Sequence, residues 1–229
     1  AWSGAPAALA SGVQSREASP TQGPRDEDGP VRPAALMDAV QRRIVDRTDA
    51  LLMAESGNAF AWAIHALRFD DPERWRVSVG FGSMGHFAAG VVGAAMASEG
   101  RKAVALVGDG AMLMNTEVST AVQHRASAVW IVLNDAGYGM VRQGMRAQGF
   151  APRDTDIPRV DFVALARAVG ADGVCVARES ELDAALDAAL VAAGPFVVDV
   201  RVDPTEPGPW MKRIERLTSF GASGLRRAP

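Results

Sequence analysis

Ala103-Val104-Ala105-Leu106-Val107, followed directly by Gly108-Asp109-Gly110, is the stretch that decides the fold of this 229-residue chain. The apolar run is short, and its continuity fits a strand buried on both faces, as in a parallel sheet. A second run, Ala128-Val129-Trp130-Ile131-Val132-Leu133, ends in Asn134-Asp135-Ala136-Gly137. Between them, Asn115 to Arg125 has the length and apolar spacing of a crossover helix, with Asn115 as its N-cap. Strand, helix and strand in this order form a right-handed parallel unit, so both loops emerge at the carboxyl edge of the sheet. Asp109 and Asp135 are therefore expected to converge. A hard divalent ion such as Mg²⁺ takes oxygen ligands at roughly 2.0–2.1 Å, commonly one or two carboxylates completed by phosphate and water. The flanking glycines let backbone approach an anion. Together the two loops read as a metal-diphosphate site.

Working outward, Arg76-Val77-Ser78-Val79 reads as a strand, then Gly80-Phe81-Gly82-Ser83-Met84-Gly85 satisfies GxGxxG, and a small-residue helix runs from His86 to Ser98. This supports a Rossmann-type NAD(P)-dependent oxidoreductase as the alternative, with Asp109 near the place of the ribose-binding acid. That alternative leaves the second Asn-Asp turn without a role. Leu51-Leu52-Met53-Ala54 reads as the first strand, with Asn58 as N-cap of the helix after it. Gly90, Gly93, Ala94, Ala95 and Ala97 give the His86–Ser98 helix a face suited to close packing, a dimer contact included. Downstream, a helix at Asp161–Val169, a strand at Gly173–Ala177, a helix at Ser180–Ala193 capped by Ser180, and a strand at Phe196–Val202 continue the alternation. The expected class is α/β, a doubly wound parallel sheet with helices on both faces.

The chain can bury one substantial core, being 48% hydrophobic. A net charge of -3 gives no basic stripe, which argues against a nucleic-acid partner. No run of about 18 apolar residues argues for a membrane span. Cys175 is the only cysteine, which excludes an internal disulfide and suits a cytoplasmic location; its strand-like surroundings suggest a buried structural thiol. Residues 1–33, rich in Pro, Gly, Ser and charge, read as a flexible linker or arm, residues 34–203 as the folded domain, and residues 204–229 as an irregular tail. Such an arm, beginning at Ala1, is expected to follow another segment. Arg146 to Arg159 is polar and irregular, as a lid would be. His86 and His124 are the histidines nearest the motifs, and neither belongs to a catalytic constellation.

Gly108-Asp109-Gly110 through Asn134-Asp135 resembles the thiamine-diphosphate motif, and Gly137-Tyr138-Gly139-Met140-Val141-Arg142-Gln143 is similar to the acetolactate synthase and 2-oxo acid decarboxylase branch. The resemblance runs from about Pro33 to Asp203 and implies the diphosphate-binding domain of a thiamine-diphosphate enzyme. It implies that Asp109, the Asp135 side chain and the Gly137 carbonyl hold Mg²⁺. Asn58, Gly108, Gly110, Ala111, Tyr138, Gly139 and Met140 would then line the cofactor. In Gly82-Ser83-Met84-Gly85, the resemblance makes Met84 the wedge that bends the cofactor and Gly82 the carbonyl that holds its amino group, with Ser83 between them. The family usually carries Asn where this chain has Asp135, so a negative charge is added beside a diphosphate. The resemblance further implies a 2-oxo acid substrate, capture of the product by a second carbonyl compound, and a homodimeric or heterotetrameric assembly. A pyrimidine-binding domain or subunit would supply the activating glutamate. Glu55 and Glu117 are the nearest acids, and dipole complementation accounts for Glu117. A catalytically silent assembly subunit is the third reading.

Overall fold

The computed structural model describes residues 29–98, 100–114 and 117–211. Asn115, most of the N-terminal arm and the tail beyond Met211 lie outside the described residues. In chain order the elements are α1 (Pro33–Val40, continued by a π-helical turn Gln41–Val45), β1 (Leu51–Ala54), α2 (Asn58–Ala66), β2 (Trp75–Val77) and α3 (His86–Ala97). There follow β3 (Ala103–Gly108), α4 (Asp109–Met112), α5 (Val118–His124), β4 (Ala128–Asn134) and α6 (Gly139–Ala147). The last are α7 (Phe162–Ala168), β5 (Asp172–Val176), α8 (Leu182–Val191) and β6 (Phe196–Arg201).

The strands form one sheet in the order β2-β1-β3-β4-β6-β5, every pairing parallel. The doubly wound architecture expected from the sequence is the one observed. Because alternate strand side chains face opposite sides, Val104 and Leu106 enter one core with α1, α2 and α8. Ala103, Ala105 and Val107 enter the other, with α3, α5 and α7. Both faces of the central strands are thus dry, and β3 and β4 read as unbroken apolar runs for that reason. Trp130 is fully buried on the second side, and its Nε1 donates to the Ala88 carbonyl at 2.7 Å, tying β4 to the first turn of α3.

Several local expectations change. Helix α1 gave no distinct signal in the sequence, yet it buries Leu36, Met37 and Val40 against the sheet. Gly57, at φ 102°, takes the N-cap position that Asn58 was expected to fill, because only glycine holds that backbone without strain. Ser180 is not a cap either. The Glu181 carboxylate accepts from the Ala177 and Arg178 N–H groups, and α8 starts only at Leu182. The crossover helix is shorter than expected, since a separate turn, α4, forms directly on Asp109 and α5 begins at Val118. Cys175 is exposed and free, not buried, because β5 is an edge strand and this position faces outward, with Arg201 Nε 3.4 Å from its sulfur. Val31, in the stretch read as an arm, docks beside β6: its N–H donates to the Arg201 carbonyl and its carbonyl accepts from Asp203 N.

Candidate active site

The chain passes from β1 outward to β2 and then returns to the other side of β1 to form β3, so the strand order reverses between β1 and β3. Loops at the carboxyl ends diverge at such a switch point and leave a crevice, where α/β sheets bind ligands. A cavity of about 250 Å³ opens there. From the β1 side it is lined by Ser56, Gly57 and Asn58, from β3 by Gly108 to Ala111, and from β4 by Asp135, Gly137, Tyr138, Gly139 and Met140. Met84 reaches its rim, where it is 42% exposed. Gly82 and Ser83 are not among the lining residues, so the structure does not bring them to the cavity.

Asp109 and Asp135 converge as expected. Asp109 is 3% exposed, and its two oxygens accept from Gly110 N at 2.7 Å and Gly137 N at 3.1 Å, which fastens the β3 loop to the β4 loop. Burial pushes its carboxyl above the usual range, opposed by these backbone bonds. Asp135 is pushed up to about 6 by burial and by the Asp109 charge, with Arg142 opposing. Arg142 Nη2 donates to Asp135 Oδ2 at 2.9 Å and Nη1 donates to Asp156 Oδ1 at 2.8 Å. The loop is clamped further by Tyr138 N on the Thr155 carbonyl and Ile157 N on the Ala136 carbonyl.

The glycines have a more specific reason than open access to an anion. A Cβ on Gly110 would stand 2.7 Å from Cε1 of the Tyr138 ring. One on Gly139 would fall on Asp135 Oδ2. Both positions are closed to side chains because neighbouring site residues fill the space.

Among the described residues no group of three or more His, Cys, Asp or Glu gathers as a metal site. The Asp109 and Asp135 carboxylates with the Gly137 backbone beside them supply part of an oxygen octahedron and leave positions for phosphate and water, which fits Mg²⁺ held jointly with a diphosphate. Without a cation the pair is costly, and the sign of its pH dependence follows. The folded pKa of Asp135, about 6, lies above its ordinary 3.8, so between about pH 4 and 6 the folded chain binds more protons than the unfolded one. Stability then falls as pH rises through that window. In EDTA, the melting temperature of the wild type minus that of Asp135→Asn is expected to decline from pH 4 to 6 and level off above. A difference that stays flat or rises contradicts the assignment.

Four features of the site escaped the sequence. Glu55, fully buried, accepts from Phe87 N at 2.8 Å and Ala88 N at 3.0 Å, so it anchors the start of α3 just after the Met84 loop. Gln143 donates to the Glu206 carbonyl and accepts from Gly208 N. Trp210 Nε1 donates to Asn58 Oδ1 at 3.0 Å. The first residues of the tail, with Asp203 and Glu206 lining the cavity, therefore lie over the site. Arg142 is the fourth. The sequence attached no charge partner to Asp135, and a link seven residues on becomes visible only once the turn and α6 are in place. His86 stacks edge-on with Phe87, and neither it nor His124 lines the cavity.

The GxGxxG segment follows β2, a three-residue strand at the sheet edge, whereas a dinucleotide fingerprint belongs at the switch point. Residues 55–200 match the model of the thiamine pyrophosphate enzyme C-terminal binding domain. The chain belongs to the thiamine pyrophosphate enzymes. It is 35% identical over 87% of its length to IlvB2 of Mycobacterium tuberculosis, named as an acetolactate synthase large subunit, covering 34% of that protein. It is 30% identical over 80% of its length to benzoylformate decarboxylase of Pseudomonas aeruginosa, again covering 34%. Against acetolactate synthase isozyme 2 large subunit of Escherichia coli the identity is 31% over 72% of this chain and 31% of the relative. The chain thus spans about a third of the length of these curated relatives. A crystal structure of benzoylformate decarboxylase from Polynucleobacter necessarius superposes with a TM-score of 0.73 at 23% identity, covering 82% of this chain and 36% of that one, and shares the fold. No described helix is long and apolar enough to cross a membrane.

Proposed function

We propose that this thiamine pyrophosphate enzyme domain anchors the diphosphate and Mg²⁺ of an enzyme that decarboxylates a 2-oxo acid and ligates the product to a second carbonyl compound, as an acetolactate synthase does. The observation that carries this reading is the convergence of Asp109, buried, and Asp135, its side chain 14% exposed, at the β1/β3 switch point. Asp109, Asp135 and the Gly137 carbonyl would hold the metal, and the N-terminal N–H groups of α2 would face the phosphate. Thiamine diphosphate held by these residues would supply a nucleophilic carbon and an electron sink for the decarboxylation.

The protein's part is to bind, orient and exclude water. Met84 at the rim would support the cofactor rings from below, and for Gly82 and Ser83 the corresponding roles rest on the motif alone. Tyr138, whose ring lies against Gly110, and Met140 line the cavity. Both Glu55 oxygens are engaged, Oε2 by Phe87 N and Ala88 N and Oε1 by Ser56 N, so the glutamate that hydrogen-bonds the pyrimidine ring would come from a pyrimidine-binding domain or subunit, in cis or in trans. Val79 and Phe81, 64% and 95% exposed, precede Met84 in the chain and suit a surface that such a partner covers, in a homodimer or heterotetramer. The reaction would take place in the cytoplasm, with pyruvate as the first substrate to test.

The test joins the chain to a pyrimidine-binding domain and measures CO₂ release from pyruvate with thiamine diphosphate and Mg²⁺. Release is expected only with both cofactors present. Its absence from every such pairing, over a panel of 2-oxo acids, would contradict the proposal.

A further inference from the structure

Two neighbouring carboxylates and a diphosphate carry too much negative charge for one Mg²⁺ to balance cheaply in a buried site. Arg142 stands against this excess. It is 8% exposed, lies in the second turn of α6, and reaches back to Asp135 Oδ2. We infer that Arg142 is a positioning residue for the metal-diphosphate site: it neutralises Asp135 and occupies Oδ2, leaving Oδ1 as a single, amide-like ligand oxygen. The inference rests on the function proposed above and deepens it.

The surrounding contacts favour this role over simple anchoring of the 155–157 loop. That loop is already held by the backbone bonds Tyr138 N to the Thr155 carbonyl and Ile157 N to the Ala136 carbonyl. The other partner of Arg142, the Asp156 side chain, is 85% exposed, and ion pairs to solvated carboxylates contribute little. The Asp135 side chain is only 14% exposed, so removing Arg142 would strand a buried charge. Among the described residues Arg159, whose Nη1 donates to the Asn134 carbonyl, also lends positive charge to both carboxylates. It makes no bond to Asp135 Oδ2. Gly139 completes the arrangement, because a side chain there would displace the carboxylate oxygen that Arg142 holds.

The experiment is calorimetric titration of thiamine diphosphate into the full chain at saturating Mg²⁺. Arg142→Met is expected to weaken binding by about tenfold or more. Asp156→Asn is expected to change it by less than about twofold. The comparison that decides does not depend on the single Arg142 variant folding: Asp135→Asn and Asp135→Asn/Arg142→Met are expected to bind within about threefold of each other, because a neutral ligand needs no counter-charge. Wild-type affinity in Arg142→Met, or a double variant well below Asp135→Asn, overturns the inference and leaves the site reading intact. A wild-type chain that binds no thiamine diphosphate overturns both.

Discussion

Asp109→Ala is expected to abolish Mg²⁺-dependent binding of thiamine diphosphate, an affinity loss of at least about a hundredfold, or ~3 kcal/mol. The size follows from the double duty of this side chain. It contributes a ligand oxygen, and it is the only described link by which Gly110 N and Gly137 N share one acceptor across two loops. Removing it leaves both N–H groups without that partner and frees the Asp135 loop to move, although it also relieves the repulsion between the two carboxylates. Those effects oppose one another in the fold and add in the binding. Calorimetry with Mg²⁺, together with a melting curve showing that the variant is folded, reads the result. Binding within a few-fold of wild type would remove Asp109 from the site.

Trp130→Ala is expected to cost about 3–5 kcal/mol of stability. Among the described residues Trp130 is the largest fully buried side chain, in the strand that ends in the Asn134-Asp135 turn, and its Nε1 bond to the Ala88 carbonyl joins that strand to α3. Glu55 grips the same first turn of α3 through Phe87 N and Ala88 N. The loop carrying Met84 is therefore positioned from two sides. Trp130→Phe, which keeps most of the volume and leaves the carbonyl without its donor, is expected to cost about 1–3 kcal/mol. Urea denaturation of the two variants separates packing from hydrogen bonding, and a loss below 1 kcal/mol in the alanine variant would contradict this role.

What the sequence made legible follows burial. β1, β3 and β4 stand in the middle of the sheet, so their apolar runs and the loops after them could be read directly, and with them Asp109 and Asp135. At the edge the signal weakens: β5 exposes Cys175, against the expectation of a buried thiol. Helix α4 was hidden by Gly110, a poor helix former that tertiary packing under Tyr138 overrides. Asn58 was expected to cap α2, but Gly57 takes that place, and the Asn58 side-chain Oδ1 accepts from Trp210 Nε1, 152 residues on. Contacts of that separation leave no local periodicity. The tail could be recognised as irregular, but whether it covers the site or docks elsewhere was left open by the sequence. Arg142 belongs to the same class, since its bond to Asp135 depends on how the turn before α6 folds.

The most direct test of the central claim is a pair of calorimetric titrations of the full chain, thiamine diphosphate against NAD(P)H, each with Mg²⁺ and with EDTA. Saturable binding of thiamine diphosphate that requires Mg²⁺, with no heat from either nicotinamide cofactor, is the result expected of a site built on Asp109 and Asp135. Binding of NAD(P)H, or thiamine diphosphate binding that EDTA leaves unchanged, would contradict it.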